Sequence, residues 1–255
     1  MNRLQPLAPP LAVAPTRSSR VEQAVLSKSP CRGFHHTLFA PLHYEKNYAY
    51  PLLVWLHGPG DDERQLQRVL PLISMRNYAG VGPRGTTAQS DGRGYHWQAT
   101  PGDVSYAEQA TTAAIEAARQ RFNISPTRIF LAGFQCGGTM AQRIGLAYPD
   151  RFAGVLSIGG AFPLEETPLT QLDRVRKLPL FIAHGRDSQE YTLDRSCQEL
   201  RLFHVAGMNV TLRQYPCGDD LTTKMLSDVN TWVMEQVMGA SSAVSKPQSR
   251  PGEIN

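Results

Sequence analysis

Two glycine-rich stretches follow apolar runs directly: His57-Gly58-Pro59-Gly60-Asp61 after Leu-Leu-Val-Trp-Leu, and Gly133-Phe134-Gln135-Cys136-Gly137-Gly138 after Ile-Phe-Leu-Ala. Glycines placed this way let the backbone turn sharply from a strand into a helix. In a G-x-S-x-G corner that turn lifts a nucleophile above a sheet. Here the middle position is Gln135, whose amide cannot serve as an acyl acceptor. Neither stretch is a phosphate-binding loop, because GxxxxGK[ST] and GxGxxG are both missing. Cys136 is the one nearby side chain with intrinsic nucleophilicity, and a helix N-terminus would lower its thiol pKa. The carboxylates Asp61, Asp62, Asp187, Asp219 and Asp220 could suggest a metal site. Such clusters are more often solvated or paired with arginine, with Arg84 and Arg186 as the candidates here, so no metal is assigned. Asp61 and Asp62 are expected to shape a loop and cap a helix.

These residues need a scaffold, and the pattern around them supplies one. Short apolar runs at 34–40, 52–56, 78–81, 129–132, 154–158, 180–183 and 210–215 alternate with helical patterns, as in parallel βα units. Most runs are apolar throughout, as in strands covered on both faces. Over 106–122, Ala107, Ala110, Ala114, Ala118 and Phe122 share a helical stripe. Leu221, Met225, Val229, Trp232 and Gln236 or Val237 follow the same period. The fold class expected is α/β, a mostly parallel central sheet with helices on both faces, with ligands bound beyond the carboxyl ends of its strands.

A length of 255 residues suits one domain with tails. Residues 1–32 read as a disordered Pro/Ser/Arg-rich leader, 33–238 as the domain and 239–255 as a disordered tail. Arg3, Arg17, Arg20, Lys28 and Arg32 stand against Glu22 in the leader, so the basic excess lies outside the domain. The near-neutral remainder argues against a nucleic-acid groove. Pro6, Pro9, Pro10 and Pro15 interrupt the apolar part of the leader, which does not read as a secretory signal. No apolar run is long enough to span a bilayer. The four cysteines, Cys31, Cys136, Cys197 and Cys217, show no CxxC pairing, which points to reduced thiols and a cytoplasmic location.

The words LVWLHGPGDDE, GPRG, RIFLAGFQCGGTMAQRIGLAYPDRFAGVLSIGGAFP, LFIAHGRDS and VTLRQYPCGDD, in this order, resemble the phospholipase/carboxylesterase family of α/β hydrolases, which includes the acyl-protein thioesterases. The resemblance implies a serine-esterase fold and a triad of serine, acid and histidine. The family's elbow reads G-F-S-Q-G-G, which puts its serine on Gln135 and its next residue on Cys136. Its H-G-x-x-D acid falls on Ser188, with Asp187 one residue early. Its Y-P-x-G-H histidine falls on Asp219, and no histidine follows His204. Its oxyanion loop, Gly58 and the residue after it, would donate a backbone N–H from Pro59, which has none; the second donor would be Cys136. His57 and His184 match histidines that the family carries outside its triad, with structural roles.

Loss of a triad nucleophile or base costs on the order of 10⁶ in kcat, and loss of one oxyanion donor about 10² to 10³. The expectation is an esterase-family protein without hydrolytic activity, serving a binding or regulatory role toward a small acyl ligand or a protein partner, with no cofactor. The alternative is a hydrolase of short acyl esters, thioesters or lysophospholipids working through Cys136 or a metal. Oligomeric state is not legible from the sequence.

Overall fold

A computed structural model describes residues 33–90, 92–164 and 171–244. The leader assigned to 1–32, with Cys31, and the tail beyond 244 lie outside the described residues. The chain divides into two units at Gly33/Phe34, and the second, from Phe34 onward, carries the sheet and its helices.

Seven strands form the main sheet: β1 (His36–Phe39), β2 (Tyr50–Leu56), β3 (Ala79–Pro83), β6 (Ile124–Phe134), β7 (Gly154–Ile158), β8 (Leu180–Gly185) and β9 (Val210–Tyr215). Their order is β1-β3-β2-β6-β7-β8-β9; β1 pairs antiparallel to β3 and every other pairing is parallel. A two-stranded hairpin, β4 (Thr87–Ala88) with β5 (Tyr95–His96), stands apart. The helices are α1 (Gln65–Ile73), α2 (Pro101–Arg121), α3 (Cys136–Ala147), α4 (Leu172–Val175), α5 (Leu193–Ala206) and α6 (Thr223–Val244).

The period-2 geometry of β2 explains why it is apolar throughout. Leu52, Val54 and Leu56 enter one core with Ala107, Ala114 and Ala118 of α2 and Met140, Ala141 and Ile144 of α3. Leu53 and Trp55 enter the opposite core with Leu66, Val69 and Leu70 of α1 and Met225, Val229, Trp232 and Val233 of α6. The alanine stripe of α2 lets that helix lie close to the sheet. α2 starts ahead of its apolar stripe, at Pro101, because the Thr100 side chain accepts the Asp103 N–H and Pro101 fits the first turn.

Three features differ from the sequence reading. β6 starts at Ile124, so the polar stretch Ser125-Pro126-Thr127-Arg128 belongs to a strand that an apolar pattern could not mark. α6 continues to Val244, into the stretch read as tail, through Ala and Ser residues that a helix tolerates. The β4–β5 hairpin was unmarked, its strands being two residues each.

Candidate functional site

β6 ends at Phe134 and α3 begins at Cys136, so Gln135 alone makes the corner, at φ 46° and ψ −115°. Its own N–H donates to Ile158 O (2.8 Å), and its carbonyl accepts the Thr139 N–H (3.0 Å). The flanking glycines are sterically required. A Cβ on Gly133 would stand 2.3 Å from Gly137 O, and one on Gly137 would stand 2.3 Å from Leu56 O. The same contacts bring the other glycine-rich loop alongside, with Gly58 against the Phe134 ring.

That loop is fixed by internal bonds. Gln65 of α1 accepts both the Trp55 indole N–H (2.7 Å) and the Gly58 N–H (3.1 Å) on its Oε1. The Gly60 N–H donates to Tyr95 O (3.1 Å) and the Asp61 N–H to Gly58 O (3.4 Å). Pro59 is exposed and has no N–H. From Gly58 to Asp61, then, every backbone donor is engaged within the protein or missing.

His57 is fully buried between these loops. Its Nδ1 donates to Gly58 O (2.7 Å), its Nε2 accepts the Gly85 N–H (2.8 Å), and its carbonyl accepts the Trp97 indole N–H (3.0 Å). A carbonyl can only accept and an N–H can only donate, so one neutral tautomer is specified. Burial pushes the imidazole pKa down.

The other two positions hang from the ends of β8 and β9. The Ser188 hydroxyl donates to Asp219 Oδ1 and accepts the Tyr191 N–H (2.9 Å), while Asp219 Oδ2 accepts the Gln189 N–H (3.0 Å). The Ser188 hydroxyl bond, with help from backbone N–H groups, holds the Asp219 carboxyl below its ordinary range. Gln135 Nε2 closes the set by donating to Asp219 O at 3.0 Å. Gln135, Ser188 and Asp219 thus lie in one hydrogen-bonded group at the carboxyl edge.

Cys136 sits at the first position of α3 but packs against the core on the α2 side, with its thiol against the Trp97 backbone, and burial raises its pKa. That is opposite to the direction a thiolate nucleophile requires. Asp187 is exposed and paired with Arg186 (3.1 Å). Arg84 does not pair with the aspartates; it grips the buried Glu63 and lies over the Tyr95 ring, tying β5 to the loop. Asp61 binds Arg68 and Gln65, and Asp62 accepts the Arg64 N–H (2.8 Å), as loop-shaping roles require, but neither caps α1, whose N-cap is Arg64 without a side-chain bond. Among the described residues no group of three His, Cys, Asp or Glu side chains could hold a metal ion. His184 is fully buried against the Tyr191 ring with neither ring nitrogen hydrogen-bonded, and burial lowers its pKa against the pull of Asp219.

Gln65, Glu63 and Tyr95 carry no mark in the sequence, and Arg84 stands out there only as a candidate partner of the aspartates. The signal of Gln65 is a polar residue on the buried face of α1, which a sequence cannot separate from an ordinary amphipathic border; the cluster joins Glu63, before α1, to residues near β3 and β5 and has no local signal.

A mostly parallel sheet with a strained strand–helix corner, a glycine-rich loop beside it and loops from two further strands above it defines an α/β hydrolase. Residues 43–236 match the phospholipase/carboxylesterase family, and the chain belongs to that family. It is 27% identical over 212 residues to NocK of Nocardia uniformis subsp. tsuyamanensis, which is named as an esterase; the match takes in 71% of this chain. The chain spans 58% of that curated relative's length. Among solved structures, a Bacillus cereus carboxylesterase superposes with a TM-score of 0.64 at 18% identity, covering 84% of this chain and 98% of that one. Zea mays acyl-protein thioesterase 2 superposes with a TM-score of 0.60 at 16% identity, covering 80% and 99%. Among the described residues no helix is long and apolar enough to cross a membrane.

Proposed function

We propose that this chain is a family member without hydrolytic turnover, whose former catalytic edge binds a small acyl ligand or a protein partner in the cytoplasm. The observation that carries the reading is Gln135. It occupies the strained corner where the family places its serine, and its amide is engaged with Asp219 O rather than with a base. Supporting it, the Ser188 hydroxyl donates to the Asp219 carboxylate, so the other two positions satisfy each other and leave no imidazole to move a proton. The loop that would stabilise an oxyanion has no uncommitted N–H. The raised thiol pKa of Cys136 weighs against chemistry rearranged around that residue.

The test is p-nitrophenyl acetate and butyrate hydrolysis by the full chain. The expected rate equals that of Gln135→Ala; turnover above that control overturns the reading. A second arm replaces Gln135→Ser, Ser188→Asp and Asp219→His together, matching the family residue at each position. Activity is expected to stay poor until Pro59→Leu is added, since the regained loop donor is worth roughly 2.7 to 4 kcal/mol of transition-state stabilisation.

A further inference from the structure

α5 has a buried face and a separate exposed stripe that carries two leucines. Ser196, Glu199, Phe203 and Ala206 are buried against the rest of the molecule. Leu193, Cys197, Leu200 and His204 recur at helical spacing on a separate stripe, roughly a quarter-turn from the buried one, and all four are exposed. Leu193 is 47% exposed and Leu200 38%. Asp194 and Arg201 each follow one of the leucines and so border the same edge of the stripe. Neither enters an ion pair among the described residues, in contrast to Arg195, which pairs with Glu199.

We infer that this stripe docks against the same stripe of a second copy of the chain, with the two α5 helices antiparallel about a two-fold axis at Cys197. The charges specify the occupant. The stripe is acidic at its N-terminal end, at Asp194, and basic at its C-terminal end, at Arg201 and His204. An axis at Cys197 sets Leu193 opposite Leu200 of the second copy and Asp194 opposite Arg201 of the second copy, each twice. A two-fold contact of this kind must be self-complementary, and this one is. A parallel pairing would put the two Asp194–Arg201 edges on opposite sides of the seam, where they could not meet, whereas the antiparallel one brings them together and also aligns the helix dipoles favourably.

The test uses the full chain in sedimentation velocity over a range of concentrations, with a short bis-maleimide to link thiols. A reversible dimer is expected, with a covalent dimer that disappears in Cys197→Ser while reversible association remains. Leu193→Glu with Leu200→Glu should raise the dimer Kd at least about tenfold. Asp194→Arg and Arg201→Asp should each weaken association about threefold or more, and the two in the same chain should restore it. That rescue separates a docking role from a folding defect. A chain that stays monomeric at every concentration, a dimer indifferent to the leucine changes, or a charge pair without rescue overturns the inference; the last would point to a different partner on this face.

Discussion

Gln135 holds a backbone conformation that glutamine has no intrinsic reason to adopt. A non-glycine residue at φ 46° and ψ −115° carries strain on the order of 1–3 kcal/mol, which the surrounding turn must sustain. Exchange for alanine or glycine removes the same amide bond to Asp219, but only glycine removes the Cβ. Gln135→Gly should therefore be more stable than Gln135→Ala by about 1 kcal/mol, after allowing for the extra backbone freedom of glycine. Urea denaturation of both variants checks this, and equal midpoints would show the corner to be relaxed. Gln135, Ser188 and Asp219 could be singled out as candidates because glycines, Pro216 and His184 flank them in a recognisable order. Their bonding was not. That the Ser188 hydroxyl and Asp219 carboxylate would satisfy each other depends on two loops meeting from separate strands, which no local pattern records.

Among the elements, α1 has a role that its amphipathic pattern hides. Leu66, Val69 and Leu70 fill the core, as such a helix should. Gln65, on the same buried face, holds the glycine-rich loop through Gly58 and the strand before it through Trp55. Gln65→Leu keeps the size and leaves both N–H groups buried and unpaired, at about 1–3 kcal/mol each. The loss should appear in chemical denaturation together with faster amide exchange at Gly58; a neutral result would mean that the loop is held by its backbone bonds alone. The strands were legible wherever both faces are buried, as in β2 and β7. They were not at the start of β6, where Arg128 and Thr127 interrupt the apolar run, nor in the β4–β5 hairpin. The hairpin is held from outside its own sequence, by Arg84 over Tyr95 and by the Gly60 N–H.

For the whole molecule, two fully buried histidines shape the response to mild acid, above the range where Glu63, Asp219 and Asp228 take up protons. His57 and His184 both have folded pKa values below the unfolded value near 6.5, chiefly through burial. Below that pH the unfolded chain takes up protons that the folded chain refuses, so stability falls as pH drops from about 6.5 toward the lowered folded values. Melting temperature should decline over that window, and the decline should shrink in His184→Gln, which removes one such site. A flat profile down to about pH 5 would contradict the burial of these rings. The fold class itself was legible because hydrophobic periodicity reports burial on one or two faces. Which charged group meets which reports three-dimensional proximity, and Arg84 choosing Glu63 over the aspartates is of that kind. The same distinction governs when the site forms. The bond from the Gln135 amide to Asp219 O spans 84 residues. Closing so long a loop is entropically unfavourable for an unfolded chain, so the bond is expected to form late, after β7, β8 and β9 have joined the sheet. On this expectation it is a latch thrown at the end of folding. Removing it should quicken unfolding and leave the refolding rate nearly unchanged.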